Sequence, residues 1–189
     1  MSGWSCLTAQ RFTHGAYALV PIAPEHIEPI RCWRNAQMDV LRQTEPISPE
    51  EQDTYYTRHI WPTMTQAQPV NVLVGFLHEG SLIGYGGLVH IAWEHRRAEV
   101  SFLLEHARIH DEIGYARDFT AFLQLVREMA FNDLQLHRLF TETYAIRSHH
   151  IRVLEAAGFL LEGTMRDHVC LNGVYFNSLI HGALNLYEK

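Results

Sequence analysis

A chain of 189 residues, 47% hydrophobic and 19% charged, carries enough apolar material for one buried core, which excludes collagen, coiled coil and wholesale disorder. Fifteen Lys and Arg against twenty-one Asp and Glu leave a formal charge of −6, a field that repels nucleic acid and anionic membrane surfaces. Three cysteines, Cys6, Cys32 and Cys170, show no CxxC spacing, which excludes a disulfide framework and a zinc finger and fits a reducing compartment. The opening MSGWSCLTAQ has no basic patch followed by an apolar stretch, and runs such as Val72 to Leu77 are too short to cross a bilayer. A cytoplasmic protein is expected. No repeat or linker divides the chain, so one domain over residues 1–189, with a core of about 16–184, is the simplest organisation.

Tyr17 to Ile22 reads as a short strand, and Pro24 opens a helix that runs to about Trp33. Ser48-Pro49-Glu50-Glu51 is a stronger start signal, with Ser48 as N-cap, Pro at N1 and Glu51 at N3 completing a capping box. That helix heads towards Ile60, and Pro62 ends it. Three β-type runs follow: Val70 to His78, Leu82 to Ile91 and Ala98 to Leu104. Glu79-Gly80 closes a hairpin between the first two and Trp93 to Arg97 makes the second turn, which predicts an antiparallel meander. Phe119, Phe122, Leu123, Val126, Met129 and Ala130 then recur at helical spacing, one apolar stripe of a long helix lasting to about Asn132. Leu139 to Tyr144 is another strand, Ser148 to Ala157 a short helix closed by Gly158, and Val174 to Ala183 a final strand.

Chemistry is concentrated where a glycine precedes the long helix, in Asp111-Glu112-Ile113-Gly114-Tyr115-Ala116. Free N–H groups and the positive end of the helix dipole suit a phosphate there, although a plain turn has the same signature. Thirteen histidines raise the question of a metal. The nearest approach, His90-Ile-Ala-Trp-Glu94-His95, has three residues between His and Glu where an inverted zincin needs two, so no metal is expected. Trp33 and Trp61 offer faces for stacking a sugar or base, or else belong to the core. No Ser, Cys and His set at a recognised nucleophile spacing is present.

The order of strand, glycine turn and long helix, with the strings GYGGL, AEVSFLL, IGYA, FNDLQLHRL and VLEAAGFLLEGTMRD, resembles the GNAT superfamily of acyl-CoA-dependent N-acetyltransferases from Tyr17 to Leu184. The last string is similar to the branch holding ribosomal-protein N-terminal acetyltransferases. Trp33-Arg34-Asn35 with EPISPEE instead resembles acetyltransferases of nucleotide-linked amino sugars. Asp111 stands where the family usually has Gln or Arg, with Arg108 and Arg117 as possible substitutes, and Arg147 and His150 stand where it often has Asn and Ser.

The resemblance implies an α/β domain of the α+β type, a central, mostly antiparallel twisted sheet flanked by helices, with acetyl-CoA as co-substrate. The cofactor enters where Ala98 to Leu104 parts from Leu139 to Tyr144, along Phe102, Leu103 and Leu104, with its pyrophosphate on Ile113, Gly114, Tyr115 and Ala116. Glu99, on the face it shares with Ser101 and Leu103, is the candidate base, or else a surface carboxylate paired with Arg97. His150 and Tyr144 are candidate acids, His150 alternatively lying on the exposed side of its helix, and Glu142 is a further cleft carboxylate. Trp33, Arg34 and Asn35, with Arg42, are the candidate acceptor contacts. Two acceptor classes follow, a small amine such as a nucleotide-linked amino sugar and a protein N-terminus. A non-catalytic acyl-CoA sensor is the rival class, and self-association stays open.

Overall fold

In the computed structural model, which describes residues 3–186, the chain runs through β1 (Phe12–His14), β2 (Tyr17–Pro21), α1 (Ile27–Ala36), α2 (Pro49–Tyr55), β3 (Val72–His78) and β4 (Ser81–Ala92). It continues through β5 (Arg97–Leu104), α3 (Glu112–Arg127), β6 (Arg138–Tyr144), α4 (Ser148–Ala156), β7 (Leu160–Leu171) and β8 (Val174–Leu184). The expected domain limits at residues 1 and 189 lie outside the described residues. One eight-stranded sheet has the order β1-β2-β3-β4-β5-β6-β8-β7, antiparallel throughout except for the parallel pair β5 and β6.

Local chemistry explains most boundaries. Ser48 Oγ accepts from the Glu51 N–H at 3.2 Å, and the Glu51 carboxylate accepts from the Ser48 N–H at 2.8 Å, the expected capping box. The β3–β4 hairpin turns on Glu79 and Gly80, both left-handed at φ 51° and 82°, the combination a two-residue loop needs to match strand twist. α3 and the π-helical turn that continues it (Glu128–Asp133) bury the stripe from Phe119 to Ala130, with the Phe102 ring of β5 4.6 Å from the centroid of Phe119, on which it stacks, and 4.6 Å from that of Phe122, to which it is tilted. Gly86 of β4 makes this approach possible, because a Cβ there would stand 2.1 Å from the Ser101 carbonyl oxygen and 2.8 Å from the Phe122 ring. α1 and α2 cover the opposite face, where Arg34 meets Tyr85.

Two strands have no counterpart in the sequence reading. β1 has only three residues, and β7 is an edge strand whose residues are mostly exposed on both faces, so burial imposes no period on them.

α3 is pinned by one charge. Asp118, completely buried, accepts from the Tyr17 hydroxyl at 2.6 Å and from Arg108 Nη1 at 2.9 Å, joining α3 to β2 and to the turn before α3. Asp118→Ala is expected to lower unfolding stability by about 2 kcal/mol in urea titration, below the cost of breaking a fully buried pair, because Arg108 keeps about a third of its surface in water.

Candidate active site

β5 stays paired to β4 along its length, from Arg97 to Leu104, but to β6 only at Arg97, Ala98 and Glu99. Beyond Glu99 the two parallel strands part. The Ser101 and Leu103 carbonyls lie against Gly86 and Gly84 of β4, so by alternation the polar groups of Val100 and Phe102 face the gap. A cavity of about 220 Å³ fills it, lined by Glu99, Ser101 and Tyr144 from one face of the sheet and by Phe102, Phe119 and His150 from the other. Thr141 Oγ1, buried in its wall, has no hydrogen-bond partner among the described residues.

Glu99 does not pair with Arg97, whose guanidinium lies over the Phe140 ring instead. Its carboxylate, 12% exposed, accepts from Arg42 Nη2 at 3.1 Å and meets His90 Nδ1 at 2.9 Å. The same Arg42 nitrogen reaches Glu142 at 2.7 Å, and His168 lies 3.5 Å from the far oxygen of Glu142. Two strand carboxylates, one guanidinium and two imidazole rings thus alternate along the mouth of the gap.

Of the two candidate acids, Tyr144 is the better placed. It is 8% exposed, burial holds its hydroxyl above the ordinary phenol pKa despite the nearby Arg42 charge, and no described group hydrogen-bonds the hydroxyl. The phenol is therefore protonated at neutral pH and free to donate. His150 lies on the buried side of α4, correcting the exposed alternative, with Nδ1 at 2.7 Å from the Tyr115 hydroxyl and its ring stacked 4.2 Å from Phe119. Burial, reinforced by the positive charge of Arg147, pushes its pKa well below the usual histidine value. It stands in the cavity as a neutral ring, not a ready proton donor.

The pyrophosphate turn is narrower than expected. Asp111 caps α3, its carboxylate accepting from the Gly114 N–H at 3.0 Å, and the Tyr115 N–H closes the first helical turn onto the Asp111 carbonyl at 2.7 Å. Ala116 lies further inside the helix, so of the four expected residues Ile113, with its neighbour Glu112, keeps a first-turn N–H taken neither by a helix carbonyl nor by the Asp111 cap among the described residues. Arg108 and Arg117, the two possible substitutes for the missing basic residue, both contact Asp118, Arg108 at 2.9 Å and the exposed Arg117 at 3.5 Å. Cations come from α4 instead. Its N-terminus has no side-chain cap, Arg147 Nη2 reaches the Tyr115 hydroxyl at 3.3 Å, His149 Nε2 contacts the Glu112 carbonyl at 2.9 Å, and Arg152 adjoins His149.

A second cavity of about 580 Å³ lies under α1, α2 and the loop that joins them, lined by Tyr55, Tyr56, Tyr85, Glu45 and Glu51 among others. Arg34, Arg42, Val89 and Ser101 line both cavities. Arg34, a candidate acceptor contact, lines both cavities and is held by Tyr85 at 2.7 Å and Gln43 at 3.1 Å. Trp33 and Asn35 line neither: Trp33 packs on the core, as does Trp61, and Asn35 fastens the loop through Ile47 and Gln43 at 2.8 to 2.9 Å. The sequence reading missed Arg42 as partner of both carboxylates, and Tyr85, Tyr56 and Gln43 as acceptor-side groups, because nothing local marks residues that meet across a sheet face.

A sheet parted beside two helix N-termini, with a carboxylate and a phenol across the gap, defines an acyl-transfer scaffold. Residues 19–180 match the acetyltransferase (GNAT) domain family, and the chain belongs to it. A curated relative from Bacillus subtilis (strain 168), Probable N-acetyltransferase YjcK, is 38% identical over 81 residues, which are 39% of this chain and 45% of that protein. The match thus spans less than half the length of that relative. Among solved structures, spermidine N-acetyltransferase from Vibrio cholerae in complex with CoA and spermine superposes with a TM-score of 0.75 at 21% identity, over 90% of this chain and 96% of that one. A structure described as a probable acetyltransferase gives 0.69 at 22% identity, covering 93% and 97%. These confirm the fold. No helix among the described residues is long and apolar enough to cross a membrane.

The buried neutral His150 makes stability depend on pH in one direction. Its folded pKa lies below 6.5, so as pH falls the unfolded chain binds the proton first; the contribution is whole above about pH 6.5 and is lost towards the folded pKa. Urea midpoints are expected to drop between about pH 7.5 and pH 5.5, and to drop less in His150→Gln, which keeps a partner for Tyr115.

Asp111 allows a second test, because cap and charge separate. Asp111→Asn keeps the cap and removes an anion beside the phosphate site, so acetyl-CoA affinity by calorimetry is expected to rise, most at low salt. Asp111→Ala is expected to lose about 1 kcal/mol of stability with the cap.

Proposed function

We propose that this protein transfers the acetyl group of acetyl-CoA to a small primary amine, with Glu99 as base and Tyr144 as acid. The observation that carries the reading is the pair itself: a shielded carboxylate on β5 and an unbonded, protonated phenol on β6 border one cavity where the strands part. The residues suit the cofactor. The Val100 to Leu104 edge of β5 lacks a strand partner on the gap side and matches an extended amide-bearing arm, the orphaned Thr141 hydroxyl lies beside it, and Arg147 and Arg152 supply charge for phosphates. Acetyl-CoA bound there supplies the thioester carbonyl that an amine attacks. Glu99 removes the ammonium proton, since only the neutral amine is a nucleophile, and Tyr144 donates its proton towards the departing sulfur.

The acceptor cavity favours a small molecule over a protein N-terminus, because the loop held by Asn35 closes over it. A nucleotide-linked amino sugar is less well served than a plain cationic amine: Arg34 is bound to Tyr85 and Gln43, and Arg42 to two carboxylates, so neither is free for a diphosphate. A sensor that only binds acyl-CoA has no use for a base and an acid facing one another.

Glu99→Gln is expected to retain acetyl-CoA affinity and lose on the order of a hundredfold in kcat, a loss that shrinks as pH rises and the amine deprotonates unaided. Tyr144→Phe is expected to lose kcat at all pH values below the phenol's raised pKa. Thioester release should be measured with alkyl amines, spermidine, a nucleotide-linked amino sugar and a short peptide with a free Ala N-terminus. Full activity of Glu99→Gln at neutral pH overturns the assignment, and turnover confined to the peptide overturns the acceptor class.

A further inference from the structure

Arg42 stands at an unusual place. It lines both the acceptor cavity and the gap cavity, and so stands where the two adjoin. Its side chain is 53% exposed, whereas the two carboxylates it bridges are 12% and 15% exposed. One guanidinium nitrogen, Nη2, makes both contacts, 3.1 Å to Glu99 and 2.7 Å to Glu142. A single nitrogen that donates to two carboxylates from neighbouring strands is the bonding pattern of a primary ammonium, which has three N–H donors on one atom.

Two further polar groups of the gap cavity have no hydrogen-bond partner among the described residues. Tyr144, 8% exposed, lines the same cavity with its hydroxyl unbonded among the described residues, and Thr141, 5% exposed, has an unpartnered Oγ1 there. Arg42 comes from the loop after α1, while Glu99 and Glu142 sit on sheet strands. The cation in this contact is thus carried on a loop, and the carboxylates on hydrogen-bonded strands.

We propose that Arg42 is an internal stand-in for the acceptor: its guanidinium holds the seat between Glu99 and Glu142 that the ammonium of an aliphatic amine takes, and the incoming amine displaces it. The inference rests on the reading of this gap as a transfer site and narrows its acceptor to an alkylammonium without a phosphate near the amine. Displacement also does chemical work. While Arg42 donates to Glu99, that carboxylate oxygen is occupied, and it meets the substrate's own nitrogen only once the guanidinium has left. An anionic acceptor would instead draw Arg42 away from the seat and bind to it directly.

The two cases separate in Arg42→Ala, a change at a half-exposed side chain. Calorimetric titration with n-butylammonium chloride, on protein with and without CoA, is expected to show affinity raised by about tenfold over the unaltered protein, the worth of two partly shielded ion pairs to one competitor. Guanidinium chloride is expected to bind the vacated seat in Arg42→Ala and to compete there with n-butylammonium, while having little effect on the unaltered protein. In Arg42→Lys, which keeps a cation on the loop, the gain should be largely absent. Neutral n-butanol should show no difference among the three. Weaker n-butylammonium binding in Arg42→Ala, or tighter binding of a nucleotide-linked amino sugar by unaltered protein than by Arg42→Ala, overturns the proposal. Because these titrations need no turnover, a gain in ammonium affinity with no thioester release would keep the seat and overturn the transfer reading instead.

Discussion

The parting of β5 from β6 after Glu99 governs the rest of the molecule. Parallel strands pair less strongly per residue than antiparallel ones, and each of these two has a better partner on its other side: β5 is held to β4 through Leu104, and β6 follows β8 along its length. The glycines of β4 bring β5 close enough for Phe122 to pack over Gly86, which leaves β5 no freedom to follow β6. A gap with unpaired strand edge must then be filled by something other than protein backbone. Here it holds a cavity lined from both faces of the sheet, where groups that belong to different layers meet.

Electrostatics in that gap has one organising cost. Glu99 and Glu142 project from strands that have only just separated, and two largely shielded carboxylates at such a place are unfavourable without a cation. Arg42 provides it from the loop after α1, and the His90 and His168 rings contact the same two carboxylates from β4 and β7. The side chains that satisfy one another there, Glu99, Glu142 and Arg42, are also among those that line the cavity of the gap.

The anion side shows a similar exchange of roles. Asp111 satisfies the Gly114 N–H within the chain and caps α3, while α4 begins without a side-chain cap and carries Arg147, His149 and Arg152 around its first turn and a half. Arg147 and His150 also converge on the Tyr115 hydroxyl, so the two helices are fastened by polar contacts under the site where phosphates are expected. The neutral imidazole of His150 belongs to this scaffold, and its burial explains why it is a weak choice for proton transfer.

Much of the framework was legible because it rests on local rules. The Ser48 capping box, the Glu79-Gly80 hairpin, the stripe from Phe119 to Ala130 and the strands around them all follow from spacing within a few residues, and the string AEVSFLL and the run Leu139 to Tyr144 placed Glu99 and Tyr144 on the strands that line the gap. The edge strand β7 was not legible, since neither of its faces is buried enough to set a period. Trp33 and Asn35 looked like acceptor contacts because composition marks a helix, not which of its faces meets a cavity. Asp111 reads the same in sequence as a misplaced anion or a helix cap, and only the 3.0 Å contact to Gly114 decides it. The contact of Arg42 with Glu99 and Glu142 joins residues 57 and 100 positions apart. Residue types and periodicity determine which elements form and which face each buries, but pairings across such separations depend on how the elements pack, and that is decided by the tertiary structure alone.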